Sequence, residues 1–567
     1  MQDANDDDLL ARAKAWLAED PDADTRAELA RLIDAEDHAE LTARFSGTLQ
    51  FGTAGLRGEL GAGPMRMNRS VVIRAAAGLA AYLKKQGHPN GLVVVGYDAR
   101  HKSADFARDT AAVMTGAGLR AAVLPRPLPT PVLAFAIRHL GAVAGVEVTA
   151  SHNPPRDNGY KVYLGDGSQI VPPADAEIAA EIDAVRSLHD VPRPTTGWQT
   201  LAEDVLDAYL TRTDAVLAPD SPRTARTVYT AMHGVGKDTL LAAFDRAGFP
   251  RPTLVTEQAD PDPDFPTVAF PNPEEPGAMD LAFATARATS PAPDLIIAND
   301  PDADRLAVAV PDTTAAATPA TAATAATAAT AGGWRMLRGD EVGALLAAHL
   351  VTRGATGTFA ESIVSSSLLA RIAAKANVPH VETLTGFKWI ARVENIRYGY
   401  EEALGYCVDP EGVRDKDGIT AALLITELAS TLKAQNRTLL DLLDDIAVEH
   451  GLHATDQLSV RVDDLSLIAA AMHRLRDQPP TTLAGLPVAK AEDLTRGTDT
   501  LPPTDGLRYT LDGARVIVRP SGTEPKLKCY LEVVVPVATH ADLPTARAKA
   551  TDLLTALKRD LSTAAGI

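Results

Sequence analysis

Cysteine, long apolar runs and positive charge are all scarce in this sequence. Cys407 and Cys529 are its only cysteines, and they lack the spacing of metal ligands, so neither a disulfide framework nor a metal–thiolate site is expected. No apolar run is long enough to span a membrane. The formal net charge of -19 disfavours nucleic acid and anionic membranes as partners. A bound metal would therefore need oxygen ligands, and a phosphorylated ligand would need Lys and Arg side chains concentrated at its site.

Export signals are absent too. The acidic stretch from Met1 to Asp8 has neither the basic flank nor the apolar core of a secretory signal, so we expect a cytoplasmic protein. The composition, 46% hydrophobic and 23% charged, is typical of a soluble globular protein. A chain of 567 residues is too long for one hydrophobic core and predicts about three to five domains.

Apolar periodicity predicts alternating helices and strands along most of the chain. Helical spacing over residues 8–46 indicates an N-terminal helical appendage. Three successive α/β units follow, with starts near residues 71, 227 and 337, and their expected helices include 71–85 and 366–378. Beyond Gly451, β-like segments and two helices predict a smaller α+β domain. The Ala- and Thr-rich segment 313–331 has no such period, so we interpret it as a disordered surface insertion.

The segment TASHNPP, residues 149–155, follows a strand-like run and has the composition of a loop. It presents the hydroxyl of Ser151 as a candidate nucleophile. A plain turn is the alternative interpretation of this segment taken alone. A Ser–His hydrolase pair is disfavoured, because adjacent residues in an extended chain point apart and no G-x-S-x-G motif surrounds the serine.

The segment NDPDADR, residues 299–305, is a candidate metal site. Its acids Asp300, Asp302 and Asp304 alternate, so their carboxylates can project to one side and bind a hard cation such as Mg²⁺. An acidic surface turn is the alternative. An EF-hand is excluded, because the chain continues as an apolar strand and lacks the closing glutamate. Arg305 lies between the acids and that strand, which is an unusual position for a solvated charge.

The segment RPSGTEPK, residues 519–526, is a candidate phosphate-binding loop, although a β-hairpin turn would use similar residues. It offers a guanidinium group, hydroxyl groups and free backbone N–H groups to a dianion. The three segments fit one reaction, since they supply a nucleophile, carboxylates for a metal and a pocket for phosphate. The sequence therefore predicts phosphoryl transfer on a phosphorylated small molecule.

These segments, together with several others in the same order, resemble the α-D-phosphohexomutase superfamily, which contains phosphoglucomutases and phosphomannomutases. The others are FGTAGLRG at 51–58, GYDARHKS at 96–103, NGYKVY at 158–163, TGFKW at 385–389 and EEALGY at 401–406. The resemblance implies an α/β fold of four domains around a central cleft: three related mixed-sheet α/β domains and a smaller C-terminal α+β domain. We expect these domains, which carry the serine, metal, sugar and phosphate loops respectively, at residues 1–210, 211–335, 336–452 and 453–567.

The resemblance implies a reaction through a phosphoserine. Ser151 would transfer its phosphoryl group to a phosphorylated monosaccharide and be rephosphorylated from a sugar 1,6-bisphosphate, which also serves as activator. The ligands implied for one Mg²⁺ per active site are Ser151, Asp300, Asp302 and Asp304. The residues assigned to general acid and base catalysis, as a group and without a choice among them, are Arg57, His152 and Lys161.

Substrate-binding residues are implied in the same way. Arg305, which the resemblance places among the catalytic residues, would contact the substrate phosphate or the serine phosphate. Glu402 would bind sugar hydroxyls in the loop that contains Gly405. Lys388 corresponds to a lysine of the third-domain loop. The residues implied for the phosphate that does not react are Arg519, Ser521, Gly522, Thr523 and Lys526.

The sugar loop departs from the G-E-x-S-G pattern that is common in hexose mutases. Leu404 stands where their serine would be, and leucine cannot form a hydrogen bond with a hydroxyl. The loop and the N-terminal helices are similar to the longer phosphoglucomutase/phosphopentomutase branch. We expect a phosphosugar mutase that acts on glucose, with mannose possible, as a monomer or homodimer.

Three alternatives remain open. One is a phosphopentomutase that acts on ribose or deoxyribose phosphates, and another is a glucose 1,6-bisphosphate synthase. The third, a non-catalytic sugar-phosphate binding protein, is disfavoured because such a protein would have lost at least one of the motifs, and all are present.

Overall fold

The computed structural model describes residues 2–50, 55–312, 333–462, 464–521 and 526–567. The Ala/Thr-rich segment 313–331 lies outside them. The described chain forms four β-sheets with helices packed on their faces. This confirms the predicted α/β fold class, with three mixed sheets and a smaller α+β unit.

Three helices precede the first sheet, as the apolar spacing predicts. They are α1 (Gln2–Glu19), α2 (Ala23–Asp34) and α3 (His38–Phe45). Asp22 and Asp37 cap α2 and α3 by accepting backbone N–H groups of their first turns. Leu29 and Phe45 belong to the apolar cluster between the helices. Lys102, which lies in the next unit, forms an ion pair of 2.9 Å with Asp22 and so attaches the appendage.

The first sheet has six strands. They are β1 (Leu56–Glu59), β2 (Leu92–Tyr97), β3 (Arg120–Val123), β4 (Ala144–Val148), β5 (Asp157–Leu164) and β6 (Gln199–Thr200). Their order is β1-β5-β4-β2-β3-β6, and β5 runs antiparallel to both of its neighbours. The helices of this unit are α4 (Arg69–Lys85), α5 (Ser103–Gly116), α6 (Thr130–His139), α7 (Ala174–Asp183) and α8 (Asp204–Thr213).

The second sheet has five strands. They are β7 (Thr227–Thr230), β8 (Thr253–Leu254), β9 (Leu295–Ala298), β10 (Ala307–Pro311) and β11 (Trp334–Met336). In the order β11-β10-β9-β7-β8, the strands β7, β8 and β9 are parallel and β10 is antiparallel to its neighbours. The helices are α9 (Gly236–Ala247) and α10 (Asp280–Ala288).

The third sheet repeats this arrangement with four strands. They are β12 (Thr358–Ser362), β13 (His380–Thr383), β14 (Ile396–Glu401) and β15 (Gly405–Cys407), in the order β13-β12-β14-β15. Only β15 is antiparallel among the strands described in this sheet. The helices are α11 (Gly339–Thr352), α12 (Leu368–Lys375), α13 (Phe387–Ile390), α14 (Gly418–Ala434) and α15 (Leu439–His450).

The fourth sheet is antiparallel throughout its described pairings. Its strands are β16 (Leu452–Arg461), β17 (Thr482–Leu483), β18 (Leu486–Asp493), β19 (Leu507–Leu511), β20 (Ala514–Pro520) and β21 (Lys526–Val535). They follow the order β16-β21-β20-β19-β18-β17. The helices α16 (Leu465–Asp477) and α17 (Leu543–Ala565) cover one face. None of the helices among the described residues is both long and apolar enough to cross a membrane.

The predicted elements are present, and their ends differ from expectation where side chains compete for the backbone. The helix expected at 71–85 begins earlier, because Asn68 accepts the N–H of Val71 and caps it. The helix expected at 366–378 begins only at Leu368. Ser366, where the helix was expected to start, lies outside it, because Ser366 Oγ donates a hydrogen bond of 2.6 Å to Glu532 of β21.

Candidate active site

The serine and acidic segments meet at the carboxyl ends of two parallel strands. Ser151 follows β4 of the first sheet, and the acidic turn joins β9 to β10 of the second. Ser151 Oγ donates a hydrogen bond of 2.6 Å to Asp300 Oδ2. Segments separated by 149 positions in the chain are therefore in direct contact, as expected for loops at the carboxyl edges of packed α/β sheets.

The serine lies in a strained turn. Ser151 has a φ of 51°, in the left-handed region, and its side chain is buried. For a residue other than glycine this conformation costs about 1–2 kcal/mol. The N–H of Ser151 donates to Thr149 Oγ1 at 2.8 Å, and its Oγ lies 3.2 Å from His152 Nδ1. The hydroxyl is thus held between an imidazole and a carboxylate.

The three acids form a buried cluster. One oxygen each of Asp300, Asp302 and Asp304 lies within 4.8 Å of the others, and all three side chains are buried. Burial, with the charges of the other two acids, raises the pKa of Asp300 well above its ordinary value. The Oδ1 atoms of Asp302 and Asp304 have no hydrogen-bond partner among the described residues. Converging carboxylates with unused buried oxygens fit a divalent cation such as Mg²⁺.

Lys161 of β5 supplies the nearest positive charge. Its Nζ lies 2.7 Å from Asp302 Oδ2 and 2.9 Å from Asp304 Oδ2. Burial opposes the charged form of this lysine, but the two carboxylates raise its pKa above the ordinary value. Thr130 Oγ1 also donates to Asp302 Oδ2 at 2.7 Å. Lys161 is therefore a fixed cation that partly offsets the repulsion within the cluster.

Arg57 and Arg305 are two further cations beside the serine. Arg57 Nη1 donates to Asn153 Oδ1 of the serine loop at 3.2 Å. Arg305 Nε lies 3.9 Å from both Asp300 and Asp304, and its Nη1 donates to the carbonyl of Ala403. Burial lowers the pKa of His152, and the charges of Arg305 and Arg57 lower it further. The imidazole beside Ser151 is therefore neutral at neutral pH.

The sugar loop rests directly on the metal loop. Gly405 pairs with Arg305 in an isolated bridge, and the N–H of Leu306 donates to the carbonyl of Leu404 at 3.0 Å. The carboxylate of Glu402 accepts hydrogen bonds of 3.2 Å from the hydroxyls of Ser362 and Ser365. The structure therefore brings the implied sugar-binding carboxylate to the same cleft.

Leu404 does not face the cleft. Its side chain is fully buried, and its φ is 64°. It belongs to an apolar cluster that includes Met279, Trp334 and Ala307. The leucine that replaces the loop serine is therefore a packing residue, and the hydroxyl groups beside Glu402 come from another segment.

The phosphate loop is described only in part. Arg519 lies near the end of β20, Ser521 follows that strand and Lys526 begins β21, whereas Gly522 and Thr523 lie outside the described residues. The two strands form one hairpin, with Arg519 opposite Lys528. The charge of Lys528 lowers the pKa of both His152 and Glu402, although burial dominates the shift of each. This hairpin therefore faces the serine and sugar loops.

Lys388 of α13 lies apart from the acidic cluster. It is half-buried, burial lowers its pKa, and the charge that opposes this shift is Asp175 of the first unit. No hydrogen bond to Lys388 occurs among the described residues. The structure thus places it near the first unit and does not bring it into contact with the three acids.

Several cleft residues have no signal in the sequence. Lys416 Nζ lies 3.3 Å from Asp304 Oδ2 and is buried. Lys528 lies between Leu527 and Cys529 in β21, and Ser362 ends β12 of the third sheet, with Ser365 shortly after it. A basic residue between apolar neighbours inside a strand, as with Lys161 and Lys528, is the one pattern that could have indicated them.

Comparisons with known proteins find similarity along most of the chain. Profiles of the phosphoglucomutase/phosphomannomutase family match residues 48–189 (alpha/beta/alpha domain I), 207–313 (domain II), 338–449 (domain III) and 459–550 (C-terminal domain). A probable phosphomannomutase of Haemophilus influenzae is 49% identical over 82% of this chain and 93% of its own. A probable phosphoribomutase of Schizosaccharomyces pombe is 36% identical over 91% and 92%.

A solved structure is similar over most of the chain. It is a putative phosphomannomutase from Thermus thermophilus, with a TM-score of 0.66 and 26% identity over 90% of this chain and 99% of that one. The similarity extends over all four sheet-containing units rather than one of them.

Removal of one acid tests the cation site directly. Asp302→Asn replaces a charged ligand by a neutral one, so we expect Mg²⁺ affinity to fall at least about tenfold. Isothermal titration calorimetry with Mg²⁺ measures this without any substrate. Asp294→Asn is the matched control, since Asp294 precedes the same strand β9 and pairs with Lys433 at 2.7 Å. Unchanged affinity in Asp302→Asn, or an equal loss in the control, would contradict the assignment.

Proposed function

We propose that this chain, which belongs to the phosphoglucomutase/phosphomannomutase family of α-D-phosphohexomutases, interconverts glucose 1-phosphate and glucose 6-phosphate, with mannose phosphates as further substrates. As a family member it is an intramolecular phosphotransferase, a class of isomerase. The observation that carries the proposal is the 2.6 Å hydrogen bond from Ser151 Oγ to Asp300, because it joins a hydroxyl nucleophile to a buried acidic cluster.

Ser151 is the proposed phosphoryl carrier. The Oγ–P bond of phospho-Ser151 breaks as a free sugar hydroxyl forms a new O–P bond, which gives a sugar bisphosphate. That bisphosphate reverses its orientation and returns its other phosphoryl group to Ser151. Added glucose 1,6-bisphosphate would act as activator, because it can phosphorylate a free Ser151.

Asp300, Asp302 and Asp304 would hold one Mg²⁺. When bound, the ion neutralises negative charge on the transferring phosphoryl group. The Oδ1 atoms of Asp302 and Asp304, which accept no hydrogen bond from the described part of the chain, support this assignment. Lys161, held by the same two acids, stays in place as a neighbouring cation.

Proton transfer is assigned by protonation state. The depressed pKa of His152 leaves a neutral imidazole, which can accept a proton from the attacking hydroxyl. The raised pKa of Lys161 leaves an ammonium group, which can only donate. Arg57 and Arg305 remain cations under all ordinary conditions and would orient phosphate oxygens.

Sugar recognition is assigned to the third unit. Glu402 would accept hydrogen bonds from ring hydroxyls, and the hydroxyls of Ser362 and Ser365 hold its carboxylate. Ser362 and Ser365 place hydroxyl groups beside Glu402, which Leu404 cannot do. Their presence supports a hexose substrate. Gly405 would carry the loop against the metal turn.

The phosphate that does not react is assigned to the fourth unit. The residues proposed to bind it are Arg519, Ser521, Gly522, Thr523 and Lys526, with Lys388 contributing from the third unit. The domain divisions that we propose follow residues 210, 335 and 452, which fall within α8, within β11 and at the first residue of β16. The proposed assembly is a monomer or a homodimer.

A pentose substrate is the second candidate. It is favoured by the loop leucine and by the probable phosphoribomutase that is 36% identical over 91% of this chain. Ribose 1-phosphate and ribose 5-phosphate would replace the hexose phosphates, and Ser151 and the acidic cluster would act in the same way.

Ser151→Ala tests the phosphoryl carrier. Without Oγ no phosphoenzyme can form, so we expect kcat to fall at least about 10³-fold while the circular dichroism spectrum is unchanged. Ser70→Ala is the control, because Ser70 is a buried serine of α4 whose hydroxyl has no partner among the described residues. Turnover close to that of the unmodified protein in Ser151→Ala would refute the role.

Substrate preference separates the two candidates. We expect kcat/KM for glucose 1-phosphate to exceed that for ribose 1-phosphate at least about tenfold, because a site built to bind a hydroxyl discriminates against a sugar that lacks it. Mannose 1-phosphate is measured alongside, with Mg²⁺ and a trace of the matching bisphosphate. A ribose preference would replace the hexose proposal by the pentose one. Net accumulation of bisphosphate would identify a synthase instead.

The protonation of Glu402 predicts a pH dependence. Burial, with the charges of Glu401 and Asp340, raises the pKa of Glu402 to about 7. The carboxylate accepts hydrogen bonds at both oxygens, whereas the protonated group carries a donor O–H on one of them, so kcat/KM should fall about tenfold per pH unit below 7. In Glu402→Gln, kcat/KM should be lower at neutral pH and should not show this additional fall below pH 7. An equally steep fall of kcat/KM below pH 7 in the variant would show that another group titrates.

A further inference from the structure

Arg100 is bound to the loop that carries Ser151 at four backbone positions. Its Nη2 donates to the carbonyl oxygens of Ser151 and Asn153, each at 2.6 Å. Its Nη1 donates to the carbonyl oxygens of Pro154, at 2.8 Å, and Asp157, at 3.1 Å. One guanidinium group therefore binds both ends of the serine loop.

The guanidinium is itself fixed from the opposite side. Its Nε lies 3.5 Å from Asp98 Oδ2, and the backbone N–H of Arg100 donates to Asp98 Oδ1 at 3.0 Å. Ser103 Oγ donates to the same carboxylate at 2.6 Å. The ring of Phe265, from the second unit, stacks on the guanidinium with 4.9 Å between its centroid and the guanidinium carbon. Arg100 thus has little freedom to follow a movement of the loop.

The serine loop has internal hydrogen bonds that each close one short turn, from the N–H of Asn153 to the carbonyl of Ala150 at 3.1 Å and from the N–H of Asp157 to the carbonyl of Pro154 at 3.0 Å. It contains two adjacent prolines, which lack N–H donors, and Ser151 has a left-handed backbone. Its carbonyl groups point inward at Arg100, so these hydrogen bonds favour the strained turn over an extended chain. The turn in turn sets the direction of Ser151 Oγ toward Asp300.

We propose that Arg100 is a positioning residue for phosphoryl transfer, which fixes the backbone of residues 151–157 so that Ser151 Oγ faces the acidic cluster. Its side chain is 1% exposed, beneath the loop, so it has no surface left for substrate. The inference rests on the proposed role of Ser151, but it does not depend on which sugar is the substrate.

A positioning role and a general stabilising role predict different kinetics. Misplacement of the nucleophile affects the transfer step, whereas the substrate is bound largely by the third and fourth units. Loss of positioning should therefore lower kcat and leave KM nearly unchanged. Loss of stability alone should lower the amount of active protein in proportion to the folded fraction.

The test is Arg100→Lys, in the full chain with saturating Mg²⁺. Lysine keeps the charge but presents one ammonium group in place of a planar fork, so it cannot reach four carbonyl groups. We expect kcat to fall about 100-fold, the effect of displacing a reacting group by about 1 Å, with KM changed less than about threefold. Phosphorylation of Ser151 by glucose 1,6-bisphosphate, followed by intact-protein mass spectrometry, should slow by the same factor.

Arg74→Lys is the matched control. Arg74 is a partly buried arginine of the same unit, and it donates to the carbonyl of Val185 at 2.7 Å and to Glu19 at 3.2 Å, away from the serine loop. Its kcat and KM should stay within about twofold of the unmodified protein. An equal fall in kcat for Arg74→Lys would show that any such arginine matters and would overturn the proposal.

A second variant tests the same role if Arg100→Lys does not fold. Asp98→Asn/Arg100→Gln removes both buried charges together, so neither is left unpaired, and it should reproduce the loss of kcat. A folded variant with kcat within about twofold of the unmodified protein, or with a rise in KM as large as the fall in kcat, overturns the positioning role. If the unmodified protein itself forms no phosphoserine, the proposed function fails first, and that result is distinct from either outcome.

Discussion

The burial of three carboxylates within 4.8 Å of one another is the constraint on which the arrangement of the units depends. Two unit charges about 4 Å apart repel by about 4 kcal/mol at an effective dielectric constant of about 20. Lys161 from the first unit offsets this through contacts with Asp302 and Asp304, and Lys416 approaches Asp304 from the third. Because the acids themselves lie on the second unit, the compensation requires all three α/β units to meet at one point.

The backbone segments approach each other so closely around the acidic cluster that only glycine fits at some contact points. A Cβ on Gly418, the first residue of α14, would lie 2.2 Å from the carbonyl oxygen of Arg305. A Cβ on Gly234 would lie 2.3 Å from the Cα of Pro301. Real Cβ atoms essentially never come this close, so any larger residue would displace the acidic turn. The geometry of the cluster is therefore determined by packing within the second unit and between the second and third units, as well as by charge.

The sequence predicted the fold class and the loops that meet in the cleft, because both depend on local signals. Strand and helix periods identify the units, and polar segments bounded by Gly and Pro identify the loops. Whether a loop side chain faces the cleft or the protein interior depends instead on residues that are distant in the sequence. Leu404 was expected at the sugar site, but an apolar cluster from the second unit buries it. Arg100 carries no local signal of its position, since only the folded sheet brings it against the serine loop.

The positive side chains that would attract a phosphate to the cleft also affect the protonation of His152. The chain carries a net charge of -19, so a phosphate dianion is attracted only where cations are concentrated. Arg57, Arg305 and Lys528 provide that concentration. Burial is the largest cause of the lowered pKa of His152, and the charges of Arg305, Arg57 and Lys528 lower it further. The same cations therefore attract a dianion and help to keep the neighbouring imidazole unprotonated. A substitution that removes one of them would weaken the attraction of a dianion and would also raise the pKa of His152.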